Sequence, residues 1–190
     1  VTTEAELTAA LANSALPEIK LTADINISAT LTIRRTVALD LNGHVLKMTG
    51  SGSVFLIESG KNDAYVGNLT LKDSNPEAVH KFTPNDAGLW VLNETDGTQT
   101  VTGGVITGGT GMENWSDRYG GGVSMRGGQF TMTGGNIVGC TASAGGGVYV
   151  FEQSEAKRNC IFTLDGGSIV GCTANFGGGV FVNNGGYSGK

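Results

Sequence analysis

Two histidines, three cysteines and seventeen aspartates and glutamates are the side chains of this 190-residue chain from which catalysis could be built. Hydrolysis of a glycosidic bond needs two carboxyl groups roughly 5–9.5 Å apart. A calcium-assisted lyase needs clustered aspartates and a base to take the proton. Acidic and basic residues cluster in two stretches: Glu77, Lys81 and Asp86, and then Glu113, Asp117 and Arg118. Either group suits a solvated loop. His44 belongs to the turn sequence "LNGH", and His80 stands alone, so neither belongs to a triad. Cys140 and Cys172 occupy equivalent positions in two similar passages, with no histidine near them in sequence. That disfavours a metal site or an activated nucleophile. Their side chains should project in parallel, whereas a disulfide needs them facing each other, so free thiols are expected and a disulfide is the alternative. Cys160 alternates with Phe162 and Leu164 and reads as a buried strand thiol. The sequence thus assigns no catalytic residue, no metal and no cofactor. Asn-x-Ser/Thr triplets at Asn26, Asn68, Asn93 and Asn114 follow from a threonine-rich composition and are not read as glycosylation sites.

The elements that would position these groups repeat. "GGNIVGCTASAGGGVYVF" at 134–151 returns as "GGSIVGCTANFGGGVFVN" at 166–183, an offset of 32 residues. A repeat of this length is a unit that cannot bury its own apolar face and stacks on its copy. Within one copy, "FTM", "NIVG" and "GVYV" alternate with strand spacing. Looser copies run back to Ile19, with Ile106 matching Ile137 and Gly120 matching Gly145. Three short strands per turn and about six turns are expected, paired in parallel with inward columns of Val, Ile, Leu, Phe and Met. Residues 3–14 read as a helix, with Thr3 and Glu6 at capping-box spacing and Pro17 beyond its end; residues 1–17 would cap the first turn. One domain over 1–190 is expected, with loop insertions at 74–85 and 109–119.

Composition agrees and excludes. Glycine is 32 of 190 residues and charged residues are 15%, which suits many short strands joined by tight turns. A net charge of −5 argues against a nucleic-acid partner. No run of apolar residues is long enough for a membrane span. The opening "VTTEAEL" suits a mature or trimmed product. The close at "VFVNNGGYSGK", straight after a third strand, suits a fragment of a longer array or copies meeting end to end.

With Val148 and Val150 inward, the outward residues of the third strand would be Phe55, Trp90, Ser124, Tyr149 and Phe181. A column of exposed rings is costly unless it is covered, by residues 151–160 for instance, or used. The two insertions enter the same corner ahead of that strand and bring His80, Lys81, Phe82, Trp115, Asp117, Arg118 and Tyr119 beside Trp90 and Tyr149. These nine residues are the expected ligand-binding set.

The sequence also resembles a known architecture. Its opening, a helix followed by "LTADI" and "LDLNGH", is similar to the start of right-handed parallel β-helices of the pectate-lyase-like type. The "GG-x-I-x-G-x-T-A…GGGV" repeats resemble those of bacterial surface proteins, adhesin-like proteins of anaerobes especially. Where that pattern commonly has Asn, this chain has Cys140 and Cys172. The resemblance implies an all-β solenoid with an N-terminal capping helix, on the outside of a bacterial cell. The function expected is a binding module for carbohydrate or host glycoprotein. A polysaccharide lyase or hydrolase in the same cleft is the rival reading, and a plain structural stalk the third.

Overall fold

The structure, a computed structural model, describes residues 1–60, 64–114, 117–151 and 160–183. One helix, α1 (Glu4–Ala12), precedes twenty strands numbered in chain order. Most pair in parallel, in three stacks that the chain visits in rotation. The first stack is β1 (Glu18–Lys20), β4 (Thr36–Asp40), β7 (Asn68–Lys72) and the opening halves of β15 (Gly128–Val138) and β18 (Cys160–Val170). The second is β2 (Ile25–Ile27), β5 (Val45–Met48), β11 (Val105–Thr107) and the closing halves of β15 and β18. Because β15 and β18 bend from one stack into the other, these two form one curled sheet. The third is β3 (Leu31–Ile33), β6 (Phe55–Glu58), β14 (Val123–Arg126), β17 (Val148–Phe151) and β20 (Val180–Asn183).

The 32-residue repeat is this stacking: Ile137 registers with Ile169 and Val148 with Val180. Inward columns such as Val37–Leu69–Phe130–Phe162 and Ile25–Leu46–Ile106–Ile137 carry the core. The triple glycines have a packing reason. A Cβ on Gly121 would lie 2.3 Å from the Gly146 carbonyl oxygen of the next circuit, so any side chain there would force the stacks apart.

The cap forms as its sequence asks. The Thr3 hydroxyl accepts the Glu6 N–H, while the Glu6 carboxylate reaches back to the Thr2 N–H. Leu7, Ala10 and Leu11 close the core beneath the first circuit. Arg35 donates to the carbonyls of Ala10 and Leu11, fixing the helix's carbonyl end to the barrel.

Two expectations are corrected. "DAGLWV" at 86–91 is not a third strand. Trp90 lies in β9 (Trp90–Leu92), which runs antiparallel to β8 (Val79–Pro84), itself antiparallel to β10 (Gln99–Thr102). The inserted segment therefore holds a small sheet, β8 to β10, that runs on past the 74–85 expected for the loop, and each stack is five strands deep among the described residues. Phe55 points inward, registering with Leu31 and Val123 and fully buried; its neighbour Leu56 takes the outward place.

Aspartates stitch successive circuits at one corner. Asp24 accepts the Val45 N–H, Asp73 accepts those of Gly43 and Gly104, and Asp40 accepts those of Asn42 and Ser74. Burial pushes the Asp40 carboxyl up, but its hydrogen bonds from Ser74 and Asn42 and the charge of Lys20 outweigh that and hold it below the ordinary value. A depressed folded-state pKa gives stability that is complete above the ordinary carboxylate range, about pH 3.9, and lost as pH falls through the lower folded value. Asp40→Asn should therefore destabilise the protein at pH 7 by ~1–3 kcal/mol. It should also flatten the stability profile below about pH 4. Denaturant unfolding of both proteins from pH 7 down to pH 3 tests this, and parallel profiles would show that Asp40 does not couple to folding.

Candidate functional site

The third stack's outward face carries rings. Thr32, Leu56, Ser124, Tyr149 and Phe181 follow one another in register, and Phe151 and Asn183 pair one step along. A second short sheet flanks this face: β12 (Met112–Asn114), β13 (Asp117–Tyr119), β16 (Thr141–Ala144) and β19 (Thr173–Phe176). In it Tyr119 registers with Ala144, and Ala144 with Phe176. The small alanine leaves room between its bulky neighbours.

The result is a terrace of five rings. Tyr119 meets Tyr149 with centroids 4.7 Å apart; Tyr149 stacks on Phe181 at 5.9 Å and on Phe151 at 6.2 Å; Phe176 meets Phe181 at 6.2 Å. Tyr149 is the buried centre at 5% exposure, and Phe176 is the most open ring at 64%. Polar groups edge the terrace. The Asn183 amide donates to the Tyr149 hydroxyl, and the Tyr119 hydroxyl points to the Asp117 carboxylate. Burial, then the Asp117 charge, raises the Tyr119 phenol, and burial likewise raises Tyr149. Both stay protonated at neutral pH and can donate to or accept from a ligand hydroxyl.

The structure divides the expected nine residues. It brings Tyr119, Tyr149 and Asp117 to this face, whereas Arg118, between two of them in β13, turns to Glu113 and Thr110. It puts Phe82 and Trp90 elsewhere, in a second apolar cluster with Val45, Val101, Val105 and Val138, where the inserted sheet packs on the outside of the second stack. Phe82 is fully buried there. Trp90 lies directly on Gly171, where a Cβ would sit 2.1 Å from the indole. Trp90 and Tyr149 therefore share no ladder. A cleft of about 150 Å³ beside Trp90 is lined by Lys47, Thr107, Thr110 and Thr141 among others, and Arg118 donates to Thr110 at its edge. His80 is a staple, with one ring nitrogen 2.8 Å from the Glu94 carboxylate and the other 2.8 Å from the Gly43 carbonyl. Lys81 extends from the same strand, its backbone N–H held by Glu94. Trp115 and most of residues 151–160 lie outside the described residues. A cavity of about 570 Å³ lies between α1 and β3 and includes none of the rings.

Phe151, Phe176 and Phe181 were absent from the expected set. The signals existed: Phe151 follows Tyr149 by two, and Phe176 replaces the Ala144 of the preceding copy. The cysteines are free thiols. Cys140 is buried, and its contact with Cys172, then burial, hold its thiol well above the ordinary value. Cys160 is half-buried and donates to the Phe151 carbonyl.

Residues 1–109 match the family model described as a pectate lyase-like adhesive domain, more than half of the chain. The chain belongs to that family. No curated protein matches it, and no solved structure does. The adhesive-domain match covers the cap and the first circuits, whereas every ring of the terrace lies beyond residue 109. The family therefore supports an adhesion-type role, and the terrace lies outside the matched residues. Among the described residues no helix of the adhesive domain is long and apolar enough to cross a membrane.

Proposed function

We propose that this chain is an extracellular, cell-surface adhesion module that holds a carbohydrate or glycoprotein ligand on the aromatic terrace. The observation that carries the reading is five rings in unbroken contact on one outward face. Aromatic faces pack against sugar C–H groups, and Asp117, Asn183 and the tyrosine hydroxyls supply orienting hydrogen bonds. Binding of this kind asks for retention, not bond cleavage. The scaffold beneath is read as a right-handed parallel β-helix, since parallel crossovers take that hand almost without exception. The adhesive family supports a surface location, and the repeats support a bacterial one.

Phe176→Ala and Phe181→Ala should each weaken binding by ~1–3 kcal/mol without altering the fold. A glycan array to find the ligand, followed by calorimetry on the variants, measures this. A double variant that binds as well as the parent removes the terrace, and soluble products released from a polysaccharide would favour an enzyme instead.

The reading extends to self-association. Leu164 and Val182 stand in inward columns of the last described circuit, yet are 48% and 68% exposed. Two copies meeting end to end would cover them. Sedimentation over a range of concentrations should show a dimer, and a monomer throughout would discard this part of the reading.

A further inference from the structure

Cys140 and Cys172 stand one above the other at a corner of the barrel. Val138 registers with Val170 and Thr141 with Thr173, so the two cysteines are one rung apart, about 4.8 Å in strand spacing. Gly139 takes a φ of 61°, in the left-handed region, and Gly171 one of 59°. That turn takes the Cys140 N–H out of the ladder, and it donates to the Cys172 sulfur at 3.4 Å. The same sulfur lies 3.8 Å from the Ile137 carbonyl oxygen. Both contacts are with the preceding circuit, so the Cys172 side chain leans back toward Cys140 instead of projecting in parallel with it. The Cys140 thiol hydrogen-bonds to the Cys172 sulfur. That bond, helped by the N–H groups of Cys140 and Gly139, holds the Cys172 thiol below its ordinary value against the burial that raises it. Cys140 is fully buried and keeps its proton, whereas Cys172 is half-buried against the core.

We propose that Cys172 and Cys140 form an oxidation site for a small hydroperoxide, with Cys172 as the attacking sulfur and Cys140 as the one that closes the bond. First, the Cys172 thiolate attacks one peroxide oxygen. The O–O bond breaks, the leaving oxygen takes up the proton that Cys172 has shed, and Cys172 becomes a sulfenic acid. Next, the Cys140 sulfur attacks the Cys172 sulfur. The S–O bond breaks, hydroxide leaves with the Cys140 proton as water, and an S–S bond forms. Two thiols lose two electrons and one peroxide gains them. A spacing of one rung falls inside the ~4.4–6.8 Å between Cα atoms that a disulfide spans. A thiolate-prone sulfur beside a protonated resolving partner is what separates a reactive cysteine from an inert buried one. The bond would close one 32-residue repeat and tie together two circuits otherwise held by hydrogen bonds and packing.

Titration of the whole chain with hydrogen peroxide tests this. Two of the three thiols should be lost, and digestion without reduction should release a peptide pair joined through Cys140 and Cys172 of one chain. Cys140→Ser should stop at the sulfenic acid, which a 1,3-dione traps on Cys172. Cys172→Ser should lose thiols roughly tenfold more slowly than the parent. Circular dichroism shows whether both variants fold; where one does not, the peptide map of the parent decides. A map in which Cys140 and Cys172 are not joined to each other within one chain overturns the proposal. So does a folded Cys140→Ser variant with no dione adduct on Cys172, or a folded Cys172→Ser variant that reacts at the parent's rate.

Discussion

Phe130→Ala should cost the fold ~3–5 kcal/mol, the largest single loss expected in the molecule. The ring is fully buried in an inward column between Leu69 and Phe162, and it stacks on Phe162 with centroids 5.4 Å apart and planes 15° from parallel. Its removal leaves a hole bounded by backbones that cannot close, because strand spacing is fixed by hydrogen bonds to the circuits on either side. The outward neighbour Thr131 is the control: Thr131→Ala should change stability by less than about 0.5 kcal/mol. Denaturant unfolding of both variants measures the contrast. Equal effects would mean that the columns do not carry the core.

The second large effect is expected at the cap. Leu7→Ala should cost ~2–4 kcal/mol, because Leu7 is fully buried where α1 closes the first circuit. The loss should be local as well as global. Backbone groups of β1 and β2 should exchange hydrogen faster than those of β15, since the cap is what keeps water from their open edge. An unchanged melting midpoint would show that α1 rests on the barrel without sealing it. The fixings at both ends of the helix, Glu4 on the Ser28 N–H and Arg35 on the last carbonyls, argue for sealing.

What could be read from the chain follows the physics of each feature. Strand alternation has a period of two and the repeat an offset of 32 residues, and both are local properties. The sequence alone therefore determined the helix at the start, the parallel stacking, the Ile106–Ile137 register, the inward columns of the two clear copies, and the family likeness. It went wrong where alternation fails. Val54, Phe55, Leu56 and Ile57 are all buried, so "SVFLI" offers no period, and a one-residue slip turned Phe55 outward. It went wrong again across β8 to β10, because antiparallel and parallel strands share the same alternation and "DAGLWV" imitates "GGGVYV". Tertiary structure alone showed how the terrace is assembled and added Phe151 and Phe176 to it. Tyr119, Tyr149 and Phe176 come from three separate segments and meet only when β13, β16 and β19 lie side by side next to the third stack. It decided equally that Arg34 finds Glu58, 24 residues along the chain and on the next circuit. That pairing is a matter of distance across circuits, and spacing along the chain does not encode it.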